Sequence, residues 1–295
     1  MRSPRATIAP VLAVAIALAS TVALSGPLRD RIMQRQAERT AGEMTGTRVL
    51  RDVAYGADPA QRFDVYLPPK PSGPVIFMVH GGAWKFGDKA SADVVVNKAK
   101  HWLARGFVFV SVNNRLLPKA NPLQQAEDVA AALAAAQKQA ASWGAEPSRF
   151  VILGHSAGGH LVALLGANPS FAAQRGARPW RGTVSLDSGA LDVEATMQAR
   201  HARLHDEAFG SDPAFWRAVS PLANLAAGAP PLLAVCSSKR AAPCPEAESF
   251  KRRAEALADR VDVMPRDLTH HDINALLGTP GDYTESVDRW ISSIL

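Results

Sequence analysis

Two cysteines among 295 residues are too few for a thiolate metal cluster. Zinc takes four ligands, and no histidine lies near Cys236 or Cys244 in sequence. Internal repeats and long low-complexity tracts are absent as well, so the chain is not a repeat array. Strong charge on the main body is also missing. The formal net charge is +6, but residues 1–40 carry six arginines against Asp30 and Glu38, a net of +4. That leaves +2 for the other 255 residues, which gives no basic surface for nucleic acid. What remains is 47% apolar and long enough for one large core.

The leader is distinct. Arg2 and Arg5 precede a run, residues 8–24, that is apolar except for a proline, a serine and a threonine. Ala17-Leu18-Ala19 offers a small-x-small cleavage signal. Residues 1–25 therefore read as a signal peptide or, at the short edge for spanning a bilayer, an N-terminal membrane anchor. Either places the rest outside the cytoplasm, in the periplasm or secreted, with the nearby arginines able to touch anionic lipid. In such an oxidising compartment Cys236 and Cys244 are expected to form a disulfide. Residues 26–44 read as a polar stalk apart from the core, and 45–295 as the folded domain.

That domain alternates strand and helix patterns. Residues 48–55 and 63–66 read as an opening antiparallel pair, and 74–79, 107–112, 150–153, 183–186, 232–235 and 261–264 as later strands. Helices are expected at 122–141, 245–259 and 282–294. The alternation predicts an α/β fold, a mostly parallel sheet covered on both faces. An aromatic- and histidine-containing stretch, about 190–225, interrupts the rhythm as a small cap-like insertion.

Two motifs carry chemistry. Gly154-His155-Ser156-Ala157-Gly158 lies between an apolar strand pattern and the apolar helix pattern starting at Gly159. A G-x-S-x-G in that context is a nucleophile elbow, in which Ser156 sits on a sharp strand-to-helix turn. The flanking glycines leave room that a Cβ would fill. Some seventy residues upstream, the strand pattern 74–79 ends in His80-Gly81-Gly82-Ala83-Trp84. Acyl transfer through a serine builds an oxyanion that needs preorganised N–H donors, each worth roughly 2.7–4 kcal/mol. Gly82, Ala83 and Ala157 are the expected donors.

HGGAW, then Val112-Asn113-Asn114-Arg115-Leu116-Leu117-Pro118, then GHSAGGHLVALL resembles the α/β-hydrolase superfamily. Within it the chain is similar to small serine carboxylesterases related to hormone-sensitive lipase, acetyl-xylan and feruloyl esterases, and arylformamidases. The resemblance spans roughly residues 45–295 and implies an α/β-hydrolase fold. Relatives usually carry tyrosine at the position of Asn114, a structural departure. The motifs belong to the superfamily and do not select a substrate.

The resemblance also implies a base near the C-terminus. His270-His271-Asp272-Ile273 follows the last strand pattern, and the family register selects His270 over His271. The acid is harder to place. Relatives carry it after the penultimate strand, where residues 236–246 hold no aspartate and Ala241 and Ala242 stand at its expected position. Three solutions stay open: Glu246 at the loop end, Asp187 or Asp192 after the preceding strand, or a serine–histidine dyad.

The resulting expectation is a serine hydrolase of short-chain carboxylic esters, with a small-molecule ester substrate and neither metal nor organic cofactor. Amide cleavage of the arylformamidase type and a non-catalytic hydrolase-fold binding protein are the alternatives. Trp84 is expected to border the acyl pocket, and His160 to be a buried, hydrogen-bonded residue. Asp128 is expected to make a structural contact. Oligomeric state is not legible.

Overall fold

The computed structural model describes residues 27–295, so the predicted leader lies outside the described residues. Eight strands form one sheet: β1 (Arg48–Ala54), β2 (Arg62–Leu67), β3 (Gly73–Val79), β4 (Val108–Val112), β5 (Ala145–His155), β6 (Gly182–Leu186), β7 (Leu232–Ser237) and β8 (Val261–Arg266). Their spatial order is β1-β2-β4-β3-β5-β6-β7-β8. Only β2 runs antiparallel to its neighbours β1 and β4; every other pairing is parallel.

The helices are α1 (Pro27–Glu43), α2 (Ala92–Leu103), α3 (Pro122–Gln139), α4 (Ala157–Ala167), α5 (Pro169–Ala173), α6 (Val193–Gln198), α7 (Arg203–Phe209), α8 (Pro213–Val219), α9 (Pro221–Asn224), α10 (Pro243–Glu255), α11 (His270–Ala275) and α12 (Asp282–Ser292). Strands β3, β4 and β6 are buried along their whole length. That burial explains their continuous apolar patterns, since parallel strands are covered on both faces. One core layer packs Phe77, Val110 and Ile152 against Leu133 and Leu161. The other sets Ile76, Phe109 and Leu153 against Trp102 and Trp290. Each such side chain contributes about 1.5–3 kcal/mol on burial.

Helix starts follow local chemistry. Asn121 caps α3 in a reciprocal box with Gln124, and Pro122 occupies the first turn, where its missing N–H costs nothing. The insertion between β6 and β7 is four short helices, α6 to α9. Asp192 caps α6 and Asp212 caps α8.

The expected stalk differs from what is found. Residues 27–43 are helical, and the C-terminal end of α1 docks on the domain. Thr40 Oγ1 donates to the Ala90 carbonyl at 2.7 Å, Met44 is buried in the second core layer, and Glu43 pairs with Lys100 at 2.7 Å. A largely polar composition concealed this docking, which rests on Thr40 and, just past the helix, Met44.

Candidate active site

Strand register brings the site together. Val79 of β3 pairs with Gly154 of β5, His155 with Leu186 of β6, Leu186 with Val235 of β7, and Ser237 with Arg266 of β8. The segments after these residues, His80–Trp84, Ser156, Asp187, residues 238–242 and His270, therefore emerge at one edge. It is the carboxyl edge, where open parallel sheets place their sites.

Ser156 holds φ 54° and ψ −117°, a conformation that L-residues rarely adopt. Its N–H donates to the Leu186 carbonyl at 2.9 Å and its carbonyl accepts from His160 at 3.0 Å. The flanking glycines are required sterically. A Cβ at Gly154 would stand 2.2 Å from the Gly158 carbonyl oxygen, and one at Gly158 would stand 2.4 Å from the oxygens of Val79 and His80. Ala157 opens α4, where N–H groups have no intrahelical acceptor.

The Gly82–Trp84 loop faces the elbow: a Cβ on Gly81 would lie 3.2 Å from Ser156 Cβ. Gly82 has φ 127°, and Ala83 and Trp84 follow at 52° and 56°. Among the described residues, neither the Gly82 nor the Ala83 N–H donates a hydrogen bond. The loop is pinned from behind, where the Leu117 N–H and the Gln125 side chain both donate to the Trp84 carbonyl, at 2.9 and 2.8 Å. Trp84 Nε1 donates to His160 Nδ1 at 3.2 Å, and His160 Nε2 donates to the Val219 carbonyl at 2.7 Å. His160 is thus buried and bonded. Burial pushes its pKa down to about 4. Asp128 receives a two-pronged contact from Arg115 at 2.8 and 2.6 Å, away from the elbow.

His270 begins α11, whose cap Thr269 accepts from the Asp272 N–H. Its ring centroid lies 4.5 Å from that of His155, and its carbonyl accepts from His155 Nε2 at 2.9 Å. Burial first, then the neighbouring His270, pushes the His155 pKa down to about 3. His155 is therefore neutral, and the Nε2 proton belongs to this hydrogen bond. His271, by contrast, points outward to Asp93 and Asp272 at 3.1 and 3.4 Å.

The carboxylate on His270 is Asp187, with Nδ1 and Oδ2 2.6 Å apart. Asp187 is fully buried and holds φ 50°. Its Oδ1 accepts from the Ser237 N–H at 2.8 Å, and its Oδ2 also accepts from Arg240 Nη1 at 2.7 Å. Burial pushes its pKa up, but the hydrogen bonds from His270, Ser237 and Arg240 outweigh that and hold it down at about 2.

Glu246 does not occupy this position. Its Oε2 accepts from the Leu191 N–H at 3.1 Å, tying α10 to the start of the insertion. Asp192 is spent on capping α6 through the Ala195 N–H at 3.1 Å. Both lie past the point where a strand end meets His270, whereas Asp187 directly follows β6. The sequence signal was the Leu186-Asp187 step at a strand end, read together with the aspartate-free loop after β7. Cys236 and Cys244 are joined by a disulfide, with Cα atoms 5.2 Å apart, and close that loop. Arg240, at its tip, was not singled out by the sequence, because no local pattern announces where a loop arginine will land. Among the described residues no cluster of three His, Cys, Asp or Glu is placed to hold a metal ion.

Comparisons with known proteins agree with the topology. Residues 63–178 match the BD-FAE family model. Esterase LipC of Mycobacterium tuberculosis is 30% identical over 226 residues, which is 70% of this chain and 55% of LipC. The chain thus spans about half the length of that relative. A carbohydrate esterase from gut microbiota superposes with a TM-score of 0.70 at 18% identity, covering 83% of this chain and 95% of that one. Esterase B of Lactobacillus rhamnosis superposes at 0.67 and 17% identity, covering 90% and 93%.

Proposed function

We propose that this chain, an α/β-hydrolase by fold, cleaves carboxylic esters of short acyl chains through an acyl-serine intermediate. The observation that carries the reading is the 2.6 Å hydrogen bond between His270 Nδ1 and the fully buried Asp187 carboxylate, beside the Ser156 elbow. Asp187 holds the ring with Nδ1 protonated, which leaves Nε2 to take the Ser156 proton as the hydroxyl attacks the ester carbonyl. The oxyanion that forms is received by the N–H groups of Gly82, Ala83 and Ala157, each worth on the order of 10²–10³ in kcat. His270 then returns the proton to the departing alcohol. Water enters by the same base and releases the acid. The triad leaves Glu246 and Asp192 outside the chemistry and makes a serine–histidine dyad unnecessary.

Short acyl chains follow from the insertion. Phe209 of α7 packs 4.8 Å from Trp84 between ring centroids, and His205 lies 6.1 Å from it. These side chains fill the space beside the oxyanion loop and support a shallow acyl pocket. The names of the relatives, esterases among them, support ester over amide substrates. The proposal includes export: residues 1–25 serve as a cleaved leader or an anchor, and the Cys236–Cys244 bond suits an oxidising compartment.

Hydrolysis of p-nitrophenyl acetate, butyrate and octanoate, beside N-formylkynurenine, tests this reading. Turnover is expected on the acetate and butyrate, falling steeply to the octanoate, and lost in Ser156→Ala without loss of thermal stability. Preference for N-formylkynurenine would move the reading to amide cleavage. Undiminished turnover in Ser156→Ala would overturn it.

A further inference from the structure

Arg240 lies in the loop where relatives are expected to carry the acid, just before Ala241 and Ala242, and it does the reverse of an acid's work. It lies in the loop that the Cys236–Cys244 bond closes, eight positions apart, between the end of β7 and the first turn of α10. From there Nη1 reaches Asp187 Oδ2 at 2.7 Å, the Asp187 carbonyl at 3.2 Å and His270 Nδ1 at 3.0 Å.

Donor inventory decides how these contacts work. A guanidinium has only donors, and Nδ1 must carry a proton to bond Asp187 while Nε2 is free for Ser156. Nη1 therefore gives its two hydrogens to the two Asp187 oxygens. Its approach to Nδ1 is then a contact between two donors, a fixed cation set against the imidazole. When His270 takes the serine proton, a second positive charge forms at that spot, and both share one carboxylate.

On the reading that Ser156, His270 and Asp187 form an acyl-transfer triad, we propose that Arg240 is a positioning residue of that triad. It anchors the Asp187 carboxylate, and its fixed charge 3.0 Å from the ring extends activity to lower pH. The other groups around His270 do not supply this effect. His155, from β5, is neutral. Asp187, directly after β6, is the only carboxylate among the described residues that bonds to the ring. On the helix of His270 itself, Asp272 is engaged by Thr269, and His271 turns outward to Asp93 of α2. Lys98 of α2 donates to the Asn274 carbonyl at the far end of α11, at 2.5 Å. Burial pushes the Lys98 pKa down to about 7, so it titrates in the working range. Its contribution is common to the wild type and any Arg240 variant, and the difference between them isolates Arg240.

Side-chain exposure of 38% for Arg240 places the charge near solvent, so screening is substantial. A unit charge at such a distance moves a titration by on the order of one pH unit in a water-like medium. The test measures kcat/KM for p-nitrophenyl acetate from pH 5 to 9 in wild type, Arg240→Met and Arg240→Lys. Fluorophosphonate labelling of wild-type Ser156 is measured beside it. In Arg240→Met the acid limb should move to higher pH by roughly one unit with KM unchanged. Arg240→Lys should restore the limb. Arg240→Gln serves if the methionine variant does not fold. An acid limb that superimposes on wild type overturns the proposal, even where the plateau falls, because a merely structural arginine would lower the plateau alone. Absence of labelling in the wild type would instead sink the triad reading, so the two failures are distinguishable.

Discussion

At the residue scale the site depends on one carboxylate held between three donors. Asp187→Asn keeps the shape but can present its amide N–H to His270 Nδ1, favouring the wrong tautomer. In serine triads that substitution costs on the order of 10⁴ in kcat, and a loss of that size in initial-rate assays is expected here. Glu246 provides the contrast. Burial pushes its pKa up to about 7, against hydrogen bonds from the Leu191 and Asp192 N–H groups. The unfolded chain releases this proton near the ordinary 4.5 and the folded chain near 7. The contribution to stability therefore falls as pH rises from 4.5 to 7 and stays low above it. Glu246→Gln keeps an acceptor for Leu191 and removes the charge. Its melting temperature should exceed wild type by several degrees at pH 8 and show no gain at pH 4, with kcat unchanged. A kcat loss matching that of Asp187→Asn would return the acid role to Glu246.

Legibility at this scale followed locality. Ser156 and its glycines announce themselves because the elbow needs those residue types in five consecutive positions. His270 was reachable from its place after the last strand pattern. The acid was not resolved, because Asp187, Asp192 and Glu246 differ only in which strand end meets His270, a property of the assembled sheet. Arg240 was invisible for the same reason.

At the element scale the loop after β7 carries no aspartate but an arginine and a covalent clasp. The disulfide closes a short loop, worth about 2–3 kcal/mol in the chain-entropy model, and it also holds Arg240 on Asp187. Cys236→Ser with Cys244→Ser should therefore lower the melting temperature by several degrees. It should also shift the acid limb of the rate profile in the direction expected for Arg240→Met. A fall in melting temperature with an unchanged rate profile would confine the bond to stability. The strands were readable because full burial leaves continuous apolar runs. The docking of α1 was not, since it rests on Thr40 near the end of a largely polar helix and on Met44 just beyond it.

At the scale of the whole molecule, eight strands in the order β1-β2-β4-β3-β5-β6-β7-β8 carry Ser156, Asp187 and His270, the proposed nucleophile, acid and base, after β5, β6 and β8 at one sheet edge. The alternation of periods foretold this architecture, and the insertion after β6 appeared where the rhythm broke. How the insertion packs on Trp84 needed three-dimensional contacts that no spacing encodes. The central claim is that the edge is a working triad with Asp187 as its acid. Its most direct test is the rate of fluorophosphonate attachment by intact-protein mass, for wild type, Ser156→Ala, His270→Ala, Asp187→Asn and Glu246→Gln. One adduct per wild-type chain is expected, absent in Ser156→Ala, strongly slowed in His270→Ala and Asp187→Asn, and at the wild-type rate in Glu246→Gln. Folded wild-type protein without an adduct, or Asp187→Asn labelling as fast as wild type, would contradict it.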